Sequence, residues 1–176
     1  MPLPKTMKEL VLINPESVSA DEANTYSTRE ATRAIVTDEA DRIALLYVEK
    51  EDYYKLPGGG IEGSEDKKSA LQRECLEEIG CKVEVINEVG IIVEYRKMFG
   101  LKQTSYCYLA RVIGEKGQSE YTDEELDKGF EQVWLPYEEA LQAIKQSNAS
   151  SVEGRDYIVP RDTIFLKSAR ELLGLN

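Results

Sequence analysis

The stretch from Leu56 to Val83, LPGGGIEGSEDKKSALQRECLEEIGCKV, limits what this chain can become more than any other part of it. Gly58, Gly59 and Gly60 open backbone conformations closed to other residues and let the main chain approach a ligand closely. A helix is expected directly afterwards, over Ser64–Ile79. Ser64 suits its N-cap, Glu65 and Asp66 suit the positive end of its dipole, and Gly80 suits the left-handed residue that ends it. On that helix Glu74, Glu77 and Glu78 stand at i, i+3 and i+4, so three carboxylates share one face. Leu71, Cys75 and Ile79 form the neighbouring face, which can meet a core. Like charges on adjacent turns destabilise an isolated helix, and a divalent cation reverses the sign. Carboxylate oxygens are the ligands that Mg²⁺ and Mn²⁺ prefer. Such an ion neutralises a diphosphate and lowers the pKa of a bound water. Arg73 is placed to pair with a glutamate and fix its rotamer. An acidic helical face alone is usually just solvated, so it is the joint spacing of glycines and glutamates that points to chemistry. No Gly-Lys-Ser/Thr follows the glycines, which excludes a P-loop.

The rest of the chain narrows the chemistry by exclusion. With no histidine, Ser-His-Asp and Cys-His catalysis and His-ligated zinc are ruled out, and acid–base work falls to Asp, Glu, Lys, Tyr or Cys. A net charge of −11 repels a polyanion, so a general nucleic-acid binder is disfavoured, whereas a small phosphate ligand is compatible with a cation standing between it and the protein. No apolar run is long enough to span a membrane, and Met1–Lys8 has no signal-like apolar core, so a soluble, cytoplasmic protein is expected. Cys75, Cys81 and Cys107 make an odd set without framework spacing and read as reduced, small hydrophobes.

A chain of 176 residues with 41% hydrophobic content suits one domain with an ordinary core. Met7–Asn14 reads as a strand and Pro15–Ser27 as a polar connection. Further strands are expected at Arg29–Thr37, Ile43–Glu49, Lys82–Arg96 with a bend at Gly90, Gln103–Ile113 and Phe130–Leu135. Tyr53–Pro57 is a short extended piece, and Gly114–Lys128 an acidic loop. Pro136 opens a helix running to about Gln146, Asn148–Gly154 is a polar loop, and Asp162–Leu173 is a last helix stopped at Gly174. Strands and helices mix without regular alternation, which predicts an α+β fold with a mixed sheet between helices. Residues 1–28 are expected to be part of that same fold, 29–146 its core, and 147–176 a loop and helix packed on the core.

Gly59, Glu65, Arg73-Glu74, Glu77-Glu78 and Gly80 occupy their positions as they do in the Nudix box, and the segment Gly59 to Cys81 resembles that signature throughout. The two hydrophobic slots hold Cys75 and Cys81 where larger aliphatic residues are usual, a departure that touches packing. A looser likeness runs from about Arg29 to Ile144, including Trp134-Leu135-Pro136 before an acidic helix. The resemblance implies a Nudix α/β/α sandwich and a metal-dependent hydrolase of the MutT type. Principal metal ligands would be Glu74 and Glu78, with Glu77 joining and the Gly58 carbonyl adding a ligand. Glu65 and Arg73 would support the loop–helix geometry. The catalytic set expected is Glu77, Glu74, Arg73 and, from outside the box, Glu131, with Glu120, Glu124 and Glu125 as competitors for that last place. Gly59, Gly60, Glu62 and Tyr54 are expected at the substrate. Arg29, Arg33, Arg96 and Lys97 are available either to phosphates or to the abundant acids.

The resemblance further implies hydrolysis of a nucleoside diphosphate linked to another group. No proline lies between Pro57 and Pro136, against the ADP-ribose pattern; Leu45–Lys50 does not match the coenzyme A motif; Tyr95 is out of clear register for the dinucleoside polyphosphate pattern. A nucleoside triphosphate or nucleoside diphosphate derivative remains, with ADP-ribose or another nucleotide sugar as the alternative class. The expected partner is a small nucleotide rather than nucleic acid or membrane, and a homodimer is compatible. The rival functions are a non-catalytic nucleotide sensor, against which the intact glutamates argue, and an interaction module using the acidic loop.

Overall fold

Alternating apolar residues along the longest extended segments build one mixed sheet, in a computed structural model that describes residues 6–176. The first five residues of the expected N-terminal segment lie outside the described residues. The strands are β1 (Glu9–Ile13), β2 (Ser27–Thr37), β3 (Arg42–Val48), β4 (Tyr53–Lys55), β5 (Gly58–Gly60), β6 (Lys82–Arg96), β7 (Leu101–Ile113) and β8 (Phe130–Pro136). The helices are α1 (Ala20–Ala23), α2 (Lys67–Ile79), α3 (Asp123–Asp127), α4 (Tyr137–Lys145) and α5 (Val159–Ser168). Strand order is β1-β6-β7-β2-β3-β4, with β5 added to β2 and β8 added to β3. β1 joins β6 and β2 joins β7 in parallel; the other pairs are antiparallel.

Period-two alternation divides the core between the two faces. On one face Ala34, Val36, Leu46, Tyr108 and Ala110 meet Leu71, Cys75 and Ile79 of α2. On the other, Ile35, Ile43, Leu45 and Leu109 meet Leu141 and Ile144 of α4 and Phe165 and Leu166 of α5. The result is the helix–sheet–helix sandwich expected. The three cysteines are free and buried, and Cys75 and Cys81 pack in the α2 layer. No helix among the described residues is long and apolar enough to cross a membrane.

One feature of the topology positions the site. β2 and β3 pair at Thr37 and Ile43 and then part, β2 taking β5 and β3 taking β4 and β8. The sheet is forked, and the strands on the two prongs can present side chains to a shared gap.

Several boundaries differ from expectation, each for a local reason. α2 begins at Lys67, capped by Asp66, whose side chain accepts the Ser69 N–H at 2.7 Å, rather than at Ser64. The residues before it are needed elsewhere: the Glu65 side chain accepts the Glu62 N–H at 2.8 Å and also binds Arg73. The acidic loop contains α3, opened by a capping box in which Thr122 and Glu125 satisfy each other's backbone N–H. The glycines form the short strand β5. The last helix starts well before Asp162. Its first turns are widened over Gly154–Ile158, where the Val159 N–H reaches Gly154 O, and it ends at Ser168 rather than Leu173. Pro160 has no N–H to donate, and the wide turn takes up the step ahead of it, so a residue that reads as a helix start lies inside the helix. Gly90 coincides with a register shift in β6 and leaves room for the Leu10 side chain.

Asp38 ties the β2–β3 turn to the loop after β7. Its carboxylate pairs with Lys116 at 2.7 Å and Arg42 at 2.8 Å, and Lys116 also sits 3.5 Å over the Trp134 ring. Burial alone would raise this carboxyl, but Lys116, Arg42 and the Arg42 N–H outweigh burial and hold it at about 2. A depressed folded-state pKa gives stability that is present above the unfolded value and lost as pH falls through the folded one. Asp38→Asn is therefore expected to cost about 2 kcal/mol near pH 7, with the difference from wild type closing as pH approaches 2. Urea denaturation of both proteins across that range checks this; a pH-independent difference would contradict it.

Candidate active site

α2 presents its acidic face to the gap between the prongs. A cleft of about 630 Å³ lies there, lined by Gly58–Gly60 and Glu62 on one side, Arg73, Glu74, Glu77 and Glu78 along the helix, and Lys55, Lys128 and Phe130 opposite. Glu124 and Glu125 of α3 and Arg29 of β2 complete the rim. α3 is kept in register with α2 by the segment ahead of it. The Gly117 N–H donates to Gly80 O at 2.7 Å, the Glu120 N–H to Glu77 O at 2.6 Å, and the Ser119 hydroxyl to Glu78 O at 2.7 Å. The carbonyls that a helix C-terminus leaves unpaired thus become the anchor of the opposite wall.

Arg73 organises the near side. Its guanidinium donates to Glu65 through Nε at 2.8 Å and Nη2 at 3.0 Å, to Glu74 at 3.0 Å, to Glu77 at 3.4 Å and to the Gly60 carbonyl at 3.1 Å. The Glu65 hydrogen bonds, joined by the charges of Glu65 and Glu74, raise the Arg73 pKa above its ordinary value. Glu78 is 2% exposed; the Gly58 N–H donates to its Oε1 at 2.8 Å, and Lys55 Nζ lies 3.9 Å from its Oε2. That Oε2 has no hydrogen-bond partner among the described residues. Burial pushes the Glu78 carboxyl well up despite Lys55, and burial lowers Lys55. Burial and the neighbouring Glu74 raise Glu77.

The profile of the NUDIX domain matches residues 27–154. The chain belongs to the NUDIX family. No curated protein matched it. Among solved structures it is similar to a Nudix hydrolase from Nitrosomonas europaea, at 18% identity and TM-score 0.59 over 82% of this chain and 90% of that one. It is also similar to a MutT protein from Methanosarcina mazei Go1, at 18% identity and TM-score 0.56 over 84% and 96%. A UDP-X diphosphatase aligns at 15% identity and TM-score 0.57 over 90% and 68%. At these identities the likeness is one of fold.

In this NUDIX-family chain the box residues Glu74, Glu77, Glu78, Arg73, Gly59, Gly60 and Glu62, and Gly58 just before the box, all reach one cleft. Two other expectations are corrected. Tyr54 and Glu131 do not line it, because strand alternation sends them to the opposite face from Lys55 and Phe130, which do. Tyr54 instead stacks on Tyr47 at 4.7 Å between centroids, and exposed Glu131 is registered opposite Tyr47. Of the acidic competitors, Glu124 and Glu125 stand in the cleft, while Glu120 does not line it. Lys55, Lys128 and Phe130 were not expected; Phe130 and Lys55 were legible as alternation partners of the two misplaced residues.

The Nudix cleft fits a hard divalent cation. Its donors are carboxylate oxygens, one of them buried and without a hydrogen-bond partner among the described residues, and a Cβ on Gly59 would enter the space of the Glu74 carboxylate. Among the described residues no three acidic side chains already form a closed cage, and Arg73 currently neutralises Glu74 and Glu77.

The glycines separate by what surrounds them. Gly58 has φ +143°, and a Cβ there would strike the Thr32 carbonyl, a backbone atom that cannot move aside. The three atoms nearest a Cβ on Gly59 all belong to the far end of the Glu74 side chain, which can shift where backbone cannot. Gly58→Ala is expected to destabilise by about 2–3 kcal/mol. Gly59→Ala should fold normally and lose about tenfold or more in turnover through a displaced carboxylate. Thermal melts with single-substrate rates distinguish the two; equal melting losses would contradict the assignment.

Proposed function

We propose that this protein hydrolyses a phosphoanhydride bond in a nucleoside triphosphate or other nucleoside diphosphate derivative, with Mg²⁺ or Mn²⁺ held by Glu74, Glu77 and Glu78 and the Gly58 carbonyl. The observation that carries this reading is the convergence of the acidic face of α2, the Gly58–Gly60 strand and the Lys55, Lys128 and Arg29 cations on one cleft. When bound, the cation neutralises the diphosphate and makes a water nucleophilic near neutral pH. The chain's own groups do the rest. Gly58 orients Glu78 through its N–H. Arg73 fixes the rotamers of Glu74 and Glu77 while Glu65 fixes Arg73. Lys55 and Lys128 offer positive charge to phosphate oxygens from the far wall, and Arg29 does so from beside Gly60. Glu124 and Glu125 take the place proposed for Glu131 as acceptors of the attacking water's proton, since they face the cleft.

The test is a hydrolysis screen over nucleoside triphosphates and nucleoside diphosphate derivatives with Mg²⁺, read as phosphate or pyrophosphate release. Turnover of at least one class is expected. Saturable nucleotide binding with no release by any of them would establish the sensor reading instead.

A further inference from the structure

Behind the cleft, four arginines from three distant parts of the sequence gather against one end of the α5 face of the sheet. Arg33 and Arg96 of the strands and Arg161 of α5 are buried, and Arg29 leads from them to the cleft rim. Glu94 and Asp162 are buried with them: Arg96 meets Glu94 at 3.1 Å, and Arg161 meets Asp162 at 2.7 Å and Glu94 at 3.8 Å. These two carboxylates do not satisfy the group. Arg33 Nε and Nη1, Arg96 Nε, and Arg161 Nη1 and Nη2 have no hydrogen-bond partner among the described residues. A buried guanidinium without partners is costly, and a chain with net charge −11 has no shortage of acids with which to pair it.

A third carboxylate stands where the array opens. Glu153 accepts from Arg96 Nη1 at 2.7 Å, and its side chain is 45% exposed. The positive charges of Lys55 and Lys128, both on the cleft wall, act on the same carboxylate, and Glu153 in turn acts on Arg29. Glu153 is thus an anion in contact with one buried arginine and within the field of three cations that line the cleft, and it comes from the start of a helix whose first turns are widened. Its partner Arg96 is held from the other side by the Tyr157 ring, 5.1 Å from the guanidinium carbon.

We propose that Arg29, Arg96, Lys55 and Lys128 form an anion subsite that receives a phosphate of the substrate beyond the cleaved anhydride, and that Glu153 fills this subsite when substrate is absent. Arg33 and Arg161 supply the surplus positive field behind it. The inference rests on the hydrolase reading for its substrate and names the class: nucleotides with a terminal phosphate, on a triphosphate tail or on the attached group, over nucleotide sugars whose attached group is uncharged.

The experiment separates the subsite from the chemistry. Inorganic triphosphate is titrated into the folded wild type, Arg96→Gln, Arg29→Gln and Glu153→Gln in excess chelator, by calorimetry. The wild type should bind saturably, and less tightly at higher salt. Arg96→Gln and Arg29→Gln should each weaken binding by about tenfold or more, as loss of a charge-assisted hydrogen bond does. Glu153→Gln should tighten it, which a merely structural ion pair would not do. In turnover, kcat/KM for a nucleoside triphosphate relative to a neutral nucleotide sugar should rise in Glu153→Gln and fall in Arg96→Gln. Absence of triphosphate binding, or binding indifferent to all three substitutions in proteins with wild-type circular dichroism, overturns the subsite even where hydrolysis persists. Binding with the predicted pattern supports it even where no substrate turns over.

Discussion

Glu74→Gln and Glu78→Gln are each expected to lower kcat by about a hundred- to a thousandfold while leaving the fold intact. Glutamine keeps the size and helix propensity of glutamate and removes one ligand charge. The two variants should part in their stability without metal. Glu78 is buried, and one of its oxygens has no hydrogen-bond partner among the described residues, so a neutral isostere should hold or raise the melting temperature. Glu74 pairs with Arg73 at 3.0 Å in a partly exposed setting, so its removal should change stability little. A suitable control is Glu84→Gln, exposed, outside the cleft lining and, among the described residues, paired only with Arg111, which should alter the rate by no more than about twofold. Glu124 is unsuitable as such a control because it lines the cleft. Near-wild-type rates in both folded α2 variants would mean that the helix is only a solvated acidic face.

Arg73→Lys is expected to reduce metal affinity or turnover by about ten- to a hundredfold, although the charge is kept. A guanidinium can reach Glu65, Glu74, Glu77 and the Gly60 carbonyl at once because its donors are spread in a rigid fork. An ammonium is a compact donor and cannot span them. Glu65 would lose its paired donors, and Glu74 and Glu77 would regain rotamer freedom on the face that must close around a cation. Titrating Mn²⁺ into the two proteins and following turnover in the same samples checks this. A lysine variant with unchanged metal affinity and unchanged kcat would show that Arg73 serves the fold alone.

What was legible in the sequence was local. Glu74, Glu77 and Glu78 share a face by helix geometry, Gly80 closes the helix with φ +64°, and the alternation of β2 and β7 gives two core faces. The mixed sheet between helices followed from these, and the α/β/α sandwich from the resemblance of the box. What was not legible depends on which way a strand faces or on residues brought together from afar. Tyr54 and Glu131 were each one residue away from a cleft-lining neighbour, and a shift of one turns a side chain to the other face. The arginine array draws on β2, β6 and α5, and no single window of sequence holds enough of it to be noticed. Asp162 does not open the last helix: within the widened helix it accepts the Leu56 N–H at 2.9 Å and pairs with Arg161. The strap that fixes α3 to α2 was hidden because it is made mostly of backbone groups at Gly117 and Glu120.

The central claim, that the acidic face of α2 works through a divalent cation, is tested most directly by following hydrolysis of one accepted nucleotide while a chelator is added and Mg²⁺ is then restored. Turnover should stop in excess chelator and return with Mg²⁺, with circular dichroism unchanged throughout, because the two core layers do not depend on the ion. Full turnover in excess chelator would contradict the account.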